Sequence, residues 1–537
     1  MIFKSTTNID IPAVKGVYQA LINEANENAT FIDGITGEKL TLDKLSSDSK
    51  KLAAGLIDKA EFKRGDVLAI FSPNQVDYPT VLFGTIAAGG IVTFVDSKYT
   101  VNDVAYQLKD SGAKYIVVFP SLLSKAIEAA DAVNIPKSNI FLFGNEEIDE
   151  IKPYLFLKSE REANPIEYSP EEAKSTTAYL SYSFGTTGMI KGAETTHSNI
   201  VTNLAQIGCS NDDINSNTTF IGVLPLHHVY SMITLIHLTL LKGASVVLIP
   251  NFEFDLPTFC KTIQDYEVDV IHIVPSIAMS LVKDPISRKY DLSSLRSCIS
   301  SAAPLSKELA DSFARKFVPI RQSYGATEYS FTHFVKYAEN IPIESIGKPI
   351  PNVECKIISE KGKELGYNQE GELCVRGPNV MKGYLNNKEA TDACIDNEGW
   401  FHTGDIAKVD EFGNFYIVDR SKELIKYQGH QVSPIELESI LNSHQSIDDA
   451  AVIGVYAEQE ATECPAAYIS LKQNVLESDQ LKQEIKRYVE KRVPPYKRLS
   501  GGILFIDKIP KSSSGKILKK VLRNRIKKEH PYYRKQF

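Results

Sequence analysis

A glycine- and threonine-rich segment at residues 181–199, SYSFGTTGMIKGAETTHSN, carries side chains that suit phosphate binding. Two glycines bracket two threonines at positions 185–188, and Lys191 follows them. Glycines let backbone N–H groups close around an anion, hydroxyls add donors, and a lysine supplies a mobile positive charge. The segment lacks the GxxxxGK(S/T) pattern, so we exclude a Walker A loop. Taken alone, it also fits an ordinary surface turn.

A second segment, SYGATE at residues 323–328, combines an aromatic ring, a glycine, a hydroxyl and a carboxylate. Tyr324 can stack on a base, Thr327 can donate to a phosphate, and Glu328 can hold Mg²⁺ through oxygen. Each residue alone also fits a turn, but together they are the groups that a nucleotide site needs.

Three later segments add one carboxylate and several cations. WFHTGD ends in Asp405, which can accept hydrogen bonds from the two hydroxyls of a ribose. VDRSKELIKYQG brings three cations to one turn, Arg420, Lys422 and Lys426, and IPKSSSGKILKK presents Lys516 after a Ser/Gly loop. Each segment alone could equally be a turn with charged side chains exposed to solvent. Their joint occurrence in this order favours nucleotide chemistry.

The elements that must position these residues follow an alternating pattern. Short β-rich runs alternate with helical patterns over much of the first 420 residues, as in DVLAIFSP (66–73) followed by the helix-like TVLFGTIAAGG. Such alternation favours α/β layers with largely parallel sheets. The apolar stretch from Val229 to Leu241 is too short to span a membrane and predicts a buried helix. Later strands such as GELCVRG predict a more antiparallel region.

The last hundred residues again mix helices and strands, and IELESILNSH and DQLKQEIKRYVEKR predict amphipathic helices. We place a boundary close to Arg420. It divides a large N-terminal domain of residues 1–420 from a smaller, lid-sized C-terminal domain of residues 421–537.

Basic residues concentrate near the C-terminus. From Leu481 to Phe537 there are 18 Lys or Arg against 4 Asp or Glu, whereas the whole chain has a net charge of −7. KKVLRNRIKK is either a solvated helix face or an electropositive surface for a polyphosphate ligand. Because the chain is acidic overall and contains no recognised nucleic-acid module, we do not expect a nucleic-acid partner.

Length and composition restrict the class of protein. A chain of 537 residues, 43% hydrophobic and 24% charged, is globular and exceeds what one core usually supports. Its seven cysteines are scattered, and neither a CxxC nor a Cys/His spacing suggests zinc. MIFKSTTNIDIP does not read as a secretory signal, so we expect an intracellular, reduced protein without a membrane span.

In this order, the motifs resemble the AMP-forming, adenylating superfamily of acyl-CoA synthetases, acyl-adenylating domains and beetle luciferases. They look most like those of 4-coumarate–CoA ligases. The resemblance extends over nearly the whole chain, through GDVLAIFSPN, YDLSSLR, GELCVRGPNVMKGYLNN, WFHTGDI, VDRSKELIKYQGHQVSPIELE, PPYKRL and IPKSSSGKI. It implies an α/β fold: a large N-terminal domain of layered α/β sheets plus a small β-barrel, and a mobile α+β C-terminal domain.

The resemblance also implies a two-step reaction with ATP, Mg²⁺ and CoA. A small-molecule carboxylate, aryl or fatty, attacks the α-phosphate of ATP, pyrophosphate leaves, and an acyl-adenylate forms. The thiol of CoA then displaces AMP to give a thioester. Such an enzyme needs no protein nucleophile, because it works by positioning and charge stabilisation.

Residue by residue, the resemblance implies the following site. The catalytic residues are Lys516, Lys426, His228 and Thr327. The ATP and AMP site comprises Ser183, Gly185, Thr186, Thr187, Gly188, Lys191, Ser301, Ala302, Ala303, Pro304, Gln322, Ser323, Tyr324, Gly325, Ala326, Thr327, Asp405, Arg420 and Lys516. The acyl pocket comprises His228, Tyr230, Thr234, Ser301 and Tyr329. Lys426 and Gly429 serve the CoA step, Lys422 is the hinge, and Glu328 holds the metal.

Two lysines on separate loops imply a movement. Lys516 belongs to the first half-reaction and Lys426 to the second, yet both must approach the same reacting carbon. The resemblance therefore implies that the C-terminal domain rotates about the segment from Arg420 to Lys422 between the two steps.

Several positions depart from the family pattern. Phe184 replaces a hydroxyl residue of the phosphate loop, Ile190 replaces a proline, and Ser301 replaces a glycine beside the acyl pocket. Bulky residues stand after Glu328 where coumarate ligases have small ones, at Tyr329, Phe331 and His333. We therefore do not assign 4-coumarate as the substrate, and a medium-chain fatty acid or another aryl acid fits equally well.

Three alternatives remain beside the acid–CoA ligase. A luciferase-like oxygenase would use the same adenylate with O₂, and a carrier-loading enzyme would replace CoA by a pantetheine arm. A nucleotide sensor without catalysis is disfavoured because such a protein has little use for Lys426 and Lys516. We expect a cytoplasmic location, with the peroxisome as the alternative, since RKQF is not an SKL-type peroxisomal signal.

Overall fold

The computed structural model describes most of the chain. The described residues are 1–11, 16–184, 190–250, 254–303, 305–337, 339–420, 423–427, 430–457, 462–493, 495–512 and 515–529. All structural statements below refer to these residues.

Strands are distributed over the whole described chain. They are β1 Ile2–Lys4, β2 Thr30–Asp33, β3 Lys39–Thr41, β4 Val67–Phe71, β5 Ile91–Val95, β6 Ala113–Val118, β7 Ile140–Leu142, β8 Thr177–Phe184, β9 Ile190–Thr196, β10 Thr219–Gly222, β11 Ser245–Leu248, β12 Val270–Ile273, β13 Ser297–Ser300, β14 Ile320–Ala326, β15 Ser330–Phe334, β16 Lys348–Pro349, β17 Glu354–Ile358, β18 Gly371–Arg376, β19 Gly383–Tyr384, β20 Phe401–Val409, β21 Phe415–Arg420, β22 Ile425–Tyr427, β23 His430–Val432, β24 Ile447–Ala457, β25 Thr462–Leu471 and β26 Ile503–Phe505.

Helices connect these strands. The α-helices are α1 Leu42–Ala60, α2 Tyr78–Ala87, α3 Val101–Ser111, α4 Leu123–Asp131, α5 Pro170–Ser175, α6 His197–Ser210, α7 Val229–Ser231, α8 Leu238–Lys242, α9 Leu256–Asp265, α10 Pro275–Lys283, α11 Lys307–Lys316, α12 Lys388–Asp392, α13 Pro434–Asn442, α14 Asp479–Glu490 and α15 Lys519–Glu529. Two π-helical segments, Gln19–Asn23 and Met232–His237, and several short 3₁₀ turns complete the list.

Two large sheets form the N-terminal part of the molecule. One has the strand order β19-β9-β8-β5-β4-β6-β7, and the other has β16-β15-β14-β13-β12-β10-β11-β2-β3. Their central strands pair in parallel, for example β4 with β5 and β12 with β13. All five residues of β4 are buried, as expected for a strand with helices on both faces. The predicted layers of α/β structure are therefore confirmed.

A third sheet in this part is antiparallel, with the order β1-β17-β18-β20-β21. It stands where the sequence predicted a small barrel after the α/β layers. Its strand β20 carries Asp405 toward the large sheets, which makes it part of the site described below.

The C-terminal domain has its own sheets and core. Strands β22 and β23 form a hairpin, β24, β25 and β26 form a small sheet, and helices α13, α14 and α15 cover them. Within the described residues, no strand pairing joins this domain to strands before Arg420. Its buried apolar residues form clusters of their own between Ile425 and Ile526. The α+β character is confirmed, whereas the boundary between residues 420 and 421 and the mobility of the domain stay predictions.

The apolar stretch after His228 forms the buried helix that the sequence predicts. It consists of α7, the π-helical segment Met232–His237 and α8, and it ends at Gly243 in the left-handed conformation (φ 70°). The π-helical turn was not predicted. The described part of the chain contains no candidate membrane-spanning helix.

Candidate active site

The predicted site residues follow the ends of strands. Ser183 lies at the end of β8, Ser301 directly follows β13, and Tyr324 lies near the end of β14. Parallel strands bring their carboxyl ends to one edge of a sheet, which is where open α/β sheets bind ligands. Strand β20 adds Asp405 from the antiparallel sheet.

A carboxylate and two hydroxyl groups meet on the phosphate side of the site. Glu328 Oε1 accepts hydrogen bonds from Ser183 Oγ at 2.9 Å and from the Tyr384 hydroxyl at 2.8 Å. Lys191 Nζ lies 4.8 Å from the centroid of the Tyr384 ring. Three predicted residues far apart in the sequence are thus brought together. Their oxygen donors are of the kind that Mg²⁺ prefers.

Tyr384 is a site residue that the sequence reasoning missed. Burial, and then the charge of Glu328, raise the pKa of Tyr384, so its hydroxyl stays protonated and acts as a donor. It lies in the GELCVRGPNVMKGYLNN motif, whose local pattern does not indicate what its aromatic residue contacts.

A chain of hydroxyl groups leads to Asp405. The Tyr329 hydroxyl donates to the Tyr324 hydroxyl at 2.7 Å, and the Tyr324 hydroxyl donates to Asp405 Oδ2 at 2.6 Å. Asp405 is 7% exposed, and its backbone pairs with that of Arg420 across β20 and β21. Burial and the Asp405 charge raise the pKa of Tyr324, so this hydroxyl too remains a donor. A departure from the family pattern, Tyr329, therefore supports the carboxylate that we predict to bind ribose.

The segment predicted to flank adenine is tied to β14. Ser301 Oγ donates to the Ser323 carbonyl at 2.9 Å, and Ala302 adopts a left-handed conformation (φ 69°). Gly325 has no room for a side chain, because a Cβ there would lie 1.9 Å from the Ser330 carbonyl oxygen. The Gln322 side-chain amide donates to the Ile343 carbonyl at 2.9 Å, so it ties β14 to the loop that contains Ile343.

The remaining predicted backbone and hydroxyl positions line the same edge. Ala303 follows β13, Ala326 is the last residue of β14, and Thr327 lies in the turn that joins β14 to β15. Their contact with a nucleotide stays a prediction.

On the carboxylate side, His228 is held neutral. Burial, with smaller contributions from the nearby charges of His227 and Lys516, lowers the pKa of His228 to about 4, while Asp96 opposes the shift. His227 Nε2 itself lies 3.5 Å from Asp96 Oδ2. The histidine predicted beside the carboxylate is therefore a neutral hydrogen-bonding group near neutral pH. Lys516 of the C-terminal domain lies close enough to act on it.

The predicted acyl-pocket residues Tyr230 and Thr234 are buried and hydrogen-bonded. The Tyr230 hydroxyl donates to the Ile299 carbonyl at 3.2 Å, and Thr234 Oγ1 donates to the Tyr230 carbonyl at 2.9 Å. The Phe331 ring lies edge-on to Tyr230 with centroids 5.8 Å apart. This side of the pocket is consequently filled by the protein's own aromatic groups.

Lys516 lies in a short loop, next to the bridge that closes it. Lys511 and Ile517 form an antiparallel bridge, and the Lys516 N–H donates to Ser512 Oγ at 3.1 Å. Gly515 lies against the N-terminal domain, because a Cβ there would be 3.2 Å from Val274 Cγ2 and 3.3 Å from Ser276 Oγ. The loop thus reaches the body of the molecule at the start of α10.

Hydrogen bonds also join the N-terminal and C-terminal domains in this relative orientation. Lys283 Nζ, at the end of α10, donates to the carbonyls of Ile447 at 3.1 Å and Asp448 at 3.0 Å. Ser439 Oγ on α13 donates to Glu308 on α11 at 3.3 Å. In this arrangement the Lys516 loop faces His228.

Some predicted residues lie outside the described part of the chain. They are Gly185, Thr186, Thr187, Gly188, Pro304, Lys422 and Gly429, together with the side chains of Phe184, Arg420 and Lys426. Their roles stay predictions.

Known proteins resemble this chain over nearly its whole length. Residues 20–385 match the family described as AMP-binding enzyme, and residues 436–516 match the AMP-binding enzyme C-terminal domain. The probable 4-coumarate–CoA ligase 2 of Dictyostelium discoideum is 36% identical and covers 94% of this chain and 93% of its own. The 4-coumarate–CoA ligase of Pinus taeda is 37% identical, with 94% and 93% covered.

Solved structures share the fold. The ATP-bound RpMatB-BxBclM chimera B1 superposes with a TM-score of 0.85 at 26% identity, covering 96% of this chain and 100% of its own. The first family match alone spans more than half of the chain. With the curated relatives matched from end to end and the site residues brought together at one edge, the chain belongs to the AMP-binding enzyme family.

Proposed function

We propose that this chain is an ATP-dependent acid–CoA ligase. A carboxylate oxygen attacks the α-phosphorus of ATP and pyrophosphate leaves, which gives an acyl-adenylate. The CoA sulfur then attacks the acyl carbon, the thiol proton is lost, and AMP leaves. The observation that carries the proposal is that three separate segments reach predicted site residues: Asp405 meets Tyr324 of β14, Glu328 meets Ser183 of β8, and the charge of Lys516 acts on His228.

In the first step, the residues bind and orient ATP. Asp405, supported by Tyr324 and Tyr329, accepts hydrogen bonds from the ribose hydroxyls. Ser183 and Lys191 bind phosphate oxygens on the opposite side. Such charge-assisted hydrogen bonds are roughly twice as strong as neutral ones.

The carboxylate oxygen of Glu328, with the hydroxyls of Ser183 and Tyr384 around it, suits a hard cation. Bound there, Mg²⁺ would neutralise part of the negative charge on the phosphates. Glu328 and Ser183 would hold it.

Lys516 and His228 act on the acid. The Lys516 ammonium bridges the carboxylate and the α-phosphate, whose repulsion otherwise keeps the two anions apart. His228, kept neutral by burial, donates a hydrogen bond to the carboxylate without adding a competing charge. Preorganised donors of this kind are worth about 10²–10³ in rate when one is removed.

In the second step, Lys426 and Gly429 serve CoA, and the C-terminal domain turns about Lys422. Support for a turn comes from polar contacts at the interface, where Lys283 bonds two carbonyls and Ser439 bonds Glu308. Polar contacts between domains are more readily exchanged than a buried apolar surface.

The substrate that fits this site has an apolar tail. A narrow cavity of about 20 Å³ lies beside His227, lined mainly by apolar side chains that include Phe94, Ile200, Leu204 and Met232. It holds no more than one or two waters, so an acyl group must widen it. Because Phe331 fills the Tyr230 side, we do not extend the proposal to 4-coumarate.

Pyrophosphate release over a panel of aryl and C4–C18 carboxylates, with and without CoA, tests the function. We expect release that depends on one class of acid, and a thioester product when CoA is present. Consumption of O₂ without CoA would instead indicate the luciferase-like oxygenase, and release with no dependence on any acid would contradict the proposal.

A further inference from the structure

Three potential metal ligands lie side by side on the antiparallel sheet. Cys374 on β18 and His402 on β20 are direct cross-strand partners, and Glu372 precedes Cys374 by two residues. Side chains two residues apart on a strand, and directly opposite on its neighbour, share one face of a sheet. The register shift between Glu372 and Cys374 brings the ligand atoms of all three within 4.8 Å of one another.

The distances match those of a tetrahedral zinc site. Cys374 Sγ lies 3.6 Å from His402 Nδ1, and His402 Nδ1 lies 3.2 Å from Glu372 Oε2. Zinc bonds of about 2.3 Å to sulfur and 2.0–2.1 Å to nitrogen and oxygen give edges of about 3.6 Å and about 3.3 Å in a tetrahedron. Two of the three separations, both from His402 Nδ1, therefore match those that the ion requires, and the third, between Cys374 Sγ and Glu372 Oε2, is within 4.8 Å.

The other nitrogen of His402 has a carboxylate partner. Asp396 Oδ2 lies 3.6 Å from Nε2. Nδ1 faces a carboxylate oxygen and a sulfur, so one nitrogen, one oxygen and one sulfur approach a common position beside the two strands. A carboxylate behind the ligating histidine is the usual support of a zinc ligand.

Glu372 is oriented by a second contact. Its other oxygen, Oε1, accepts a hydrogen bond from the Gly404 N–H at 3.1 Å, so Oε2 is directed toward His402. The Glu372 and His402 side chains are 29% and 30% exposed, whereas Cys374 is buried. An ion can therefore enter from solvent and reach the sulfur.

We propose that Glu372, Cys374 and His402 bind a zinc ion, with water as the fourth ligand. On binding, a Zn–S bond forms and the thiol proton leaves to solvent. This site is separate from the Mg²⁺ position at Glu328 and does not depend on the proposed reaction.

The site has a structural consequence for the nucleotide. Glu372 holds Gly404, and Gly404 directly precedes Asp405. An ion that fixes Glu372 to β20 therefore stiffens the turn that presents the ribose-binding carboxylate. Local spacing in the sequence did not suggest zinc, because the ligands come from two strands and are 28 residues apart between Cys374 and His402.

Titration of the EDTA-treated full chain with Zn²⁺, in competition with a chromophoric chelator, tests the proposal. We expect one ion per chain with these three ligands. Co²⁺ in place of Zn²⁺ should give a thiolate-to-cobalt charge-transfer band, which a site made only of oxygen ligands, such as Glu328, cannot produce.

Variants identify the ligands. Cys374→Ser should remove the charge-transfer band and weaken Zn²⁺ binding at least 10-fold. His402→Asn, at a part-exposed position, should weaken binding equally and serves if Cys374→Ser fails to fold. Cys209→Ser, at an exposed cysteine on α6, is the matched control and should change neither. Absence of the band in the parent protein, or a band that persists in His402→Asn, would overturn the proposal.

Discussion

The N-terminal body and the C-terminal domain hold their functional side chains in different ways. In the body, Tyr324 and Asp405 are fixed by hydrogen bonds to each other and to Tyr329. In the C-terminal domain, Lys516 lies in a short loop whose contact with the body is made by Gly515. Under the proposed function, the body holds its nucleotide-binding side chains in place before ATP binds, and the C-terminal domain supplies the Lys516 ammonium.

Buried histidines should make the body the acid-sensitive part. Burial lowers the pKa of His197, His237, His272 and His333 to about 3 in each case. Below pH 6.5 these histidines bind protons in the unfolded chain but not in the folded protein. The free energy of unfolding therefore falls as the pH falls. At pH 5.5 each of these histidines lowers the free energy of unfolding by about 1.4 kcal/mol, and the four together lower it by about 5.6 kcal/mol.

The single tryptophan makes this effect measurable. Trp400 is 1% exposed and lies in the body, so its fluorescence follows unfolding of that part alone. Urea unfolding at pH 7.5 and 5.5 should show a large drop in the Trp400 midpoint. In the C-terminal domain, burial lowers the pKa of His444 while Glu484 opposes it, so we expect a smaller change there. An unchanged Trp400 midpoint would contradict the contrast.

Asp405→Asn should give the largest loss in nucleotide binding. The charge of Asp405 strengthens its hydrogen bonds, and hydrogen bonds to charged groups contribute about 1.5–3 kcal/mol, so we expect the KM for ATP to rise about 10–100-fold. The KM for CoA should stay nearly constant, because this residue belongs to the body's nucleotide side. Steady-state kinetics with each substrate varied in turn measure both values, and an unchanged KM for ATP would remove Asp405 from the site.

Tyr329→Phe should have a smaller effect of the same kind. It removes one hydroxyl that supports Tyr324, worth about 0.5–1.5 kcal/mol, so the KM for ATP should rise about 3–10-fold with kcat nearly unchanged. Tyr416→Phe is the matched control, since its hydroxyl donates to Asp410 at 3.0 Å away from the site. Equal effects of the two substitutions would mean that Tyr329 acts only through stability.

Lys283→Met should produce the smallest change, and on one half-reaction. Its ammonium bonds Ile447 and Asp448 across the interface, which stabilises only the orientation in which the Lys516 loop faces His228. We expect adenylation to slow about 2–5-fold, since a hydrogen bond contributes about 1 kcal/mol. Formation of thioester from supplied acyl-adenylate should not slow. Exposed Lys289→Met is the control, and a loss confined to the second step would reverse the interpretation.

The sequence predicted the α/β layers, and it also pointed to several of the side chains that the structure brings together, for identifiable reasons. The runs around β4 and β11 are apolar and bounded by turns, so their strands follow from local pattern. The site residues lie in contiguous motifs, and motifs carry chemistry in a short stretch of chain. Tyr384 was missed because its role depends on Glu328, 56 residues earlier.

Other features depend on partners that no local pattern fixes. Cys374 meets His402 only because β18 pairs with β20 in one register. Phe331 fills the space beside Tyr230 because helix α7 packs against strand β15, which is far from it in the sequence. The position of the Lys516 loop against Val274 depends on the relation of two domains.

The Lys516→Ala variant tests whether the C-terminal domain supplies a different lysine to each half-reaction. Lys516→Ala should lower acid-dependent ATP–pyrophosphate exchange about 10²–10³-fold, because it removes the charge that joins the acid to the α-phosphate. The same variant should convert supplied acyl-adenylate and CoA to thioester at close to the parent rate. An equal loss in both half-reactions would contradict the division between a binding body and a domain that delivers one lysine to each step.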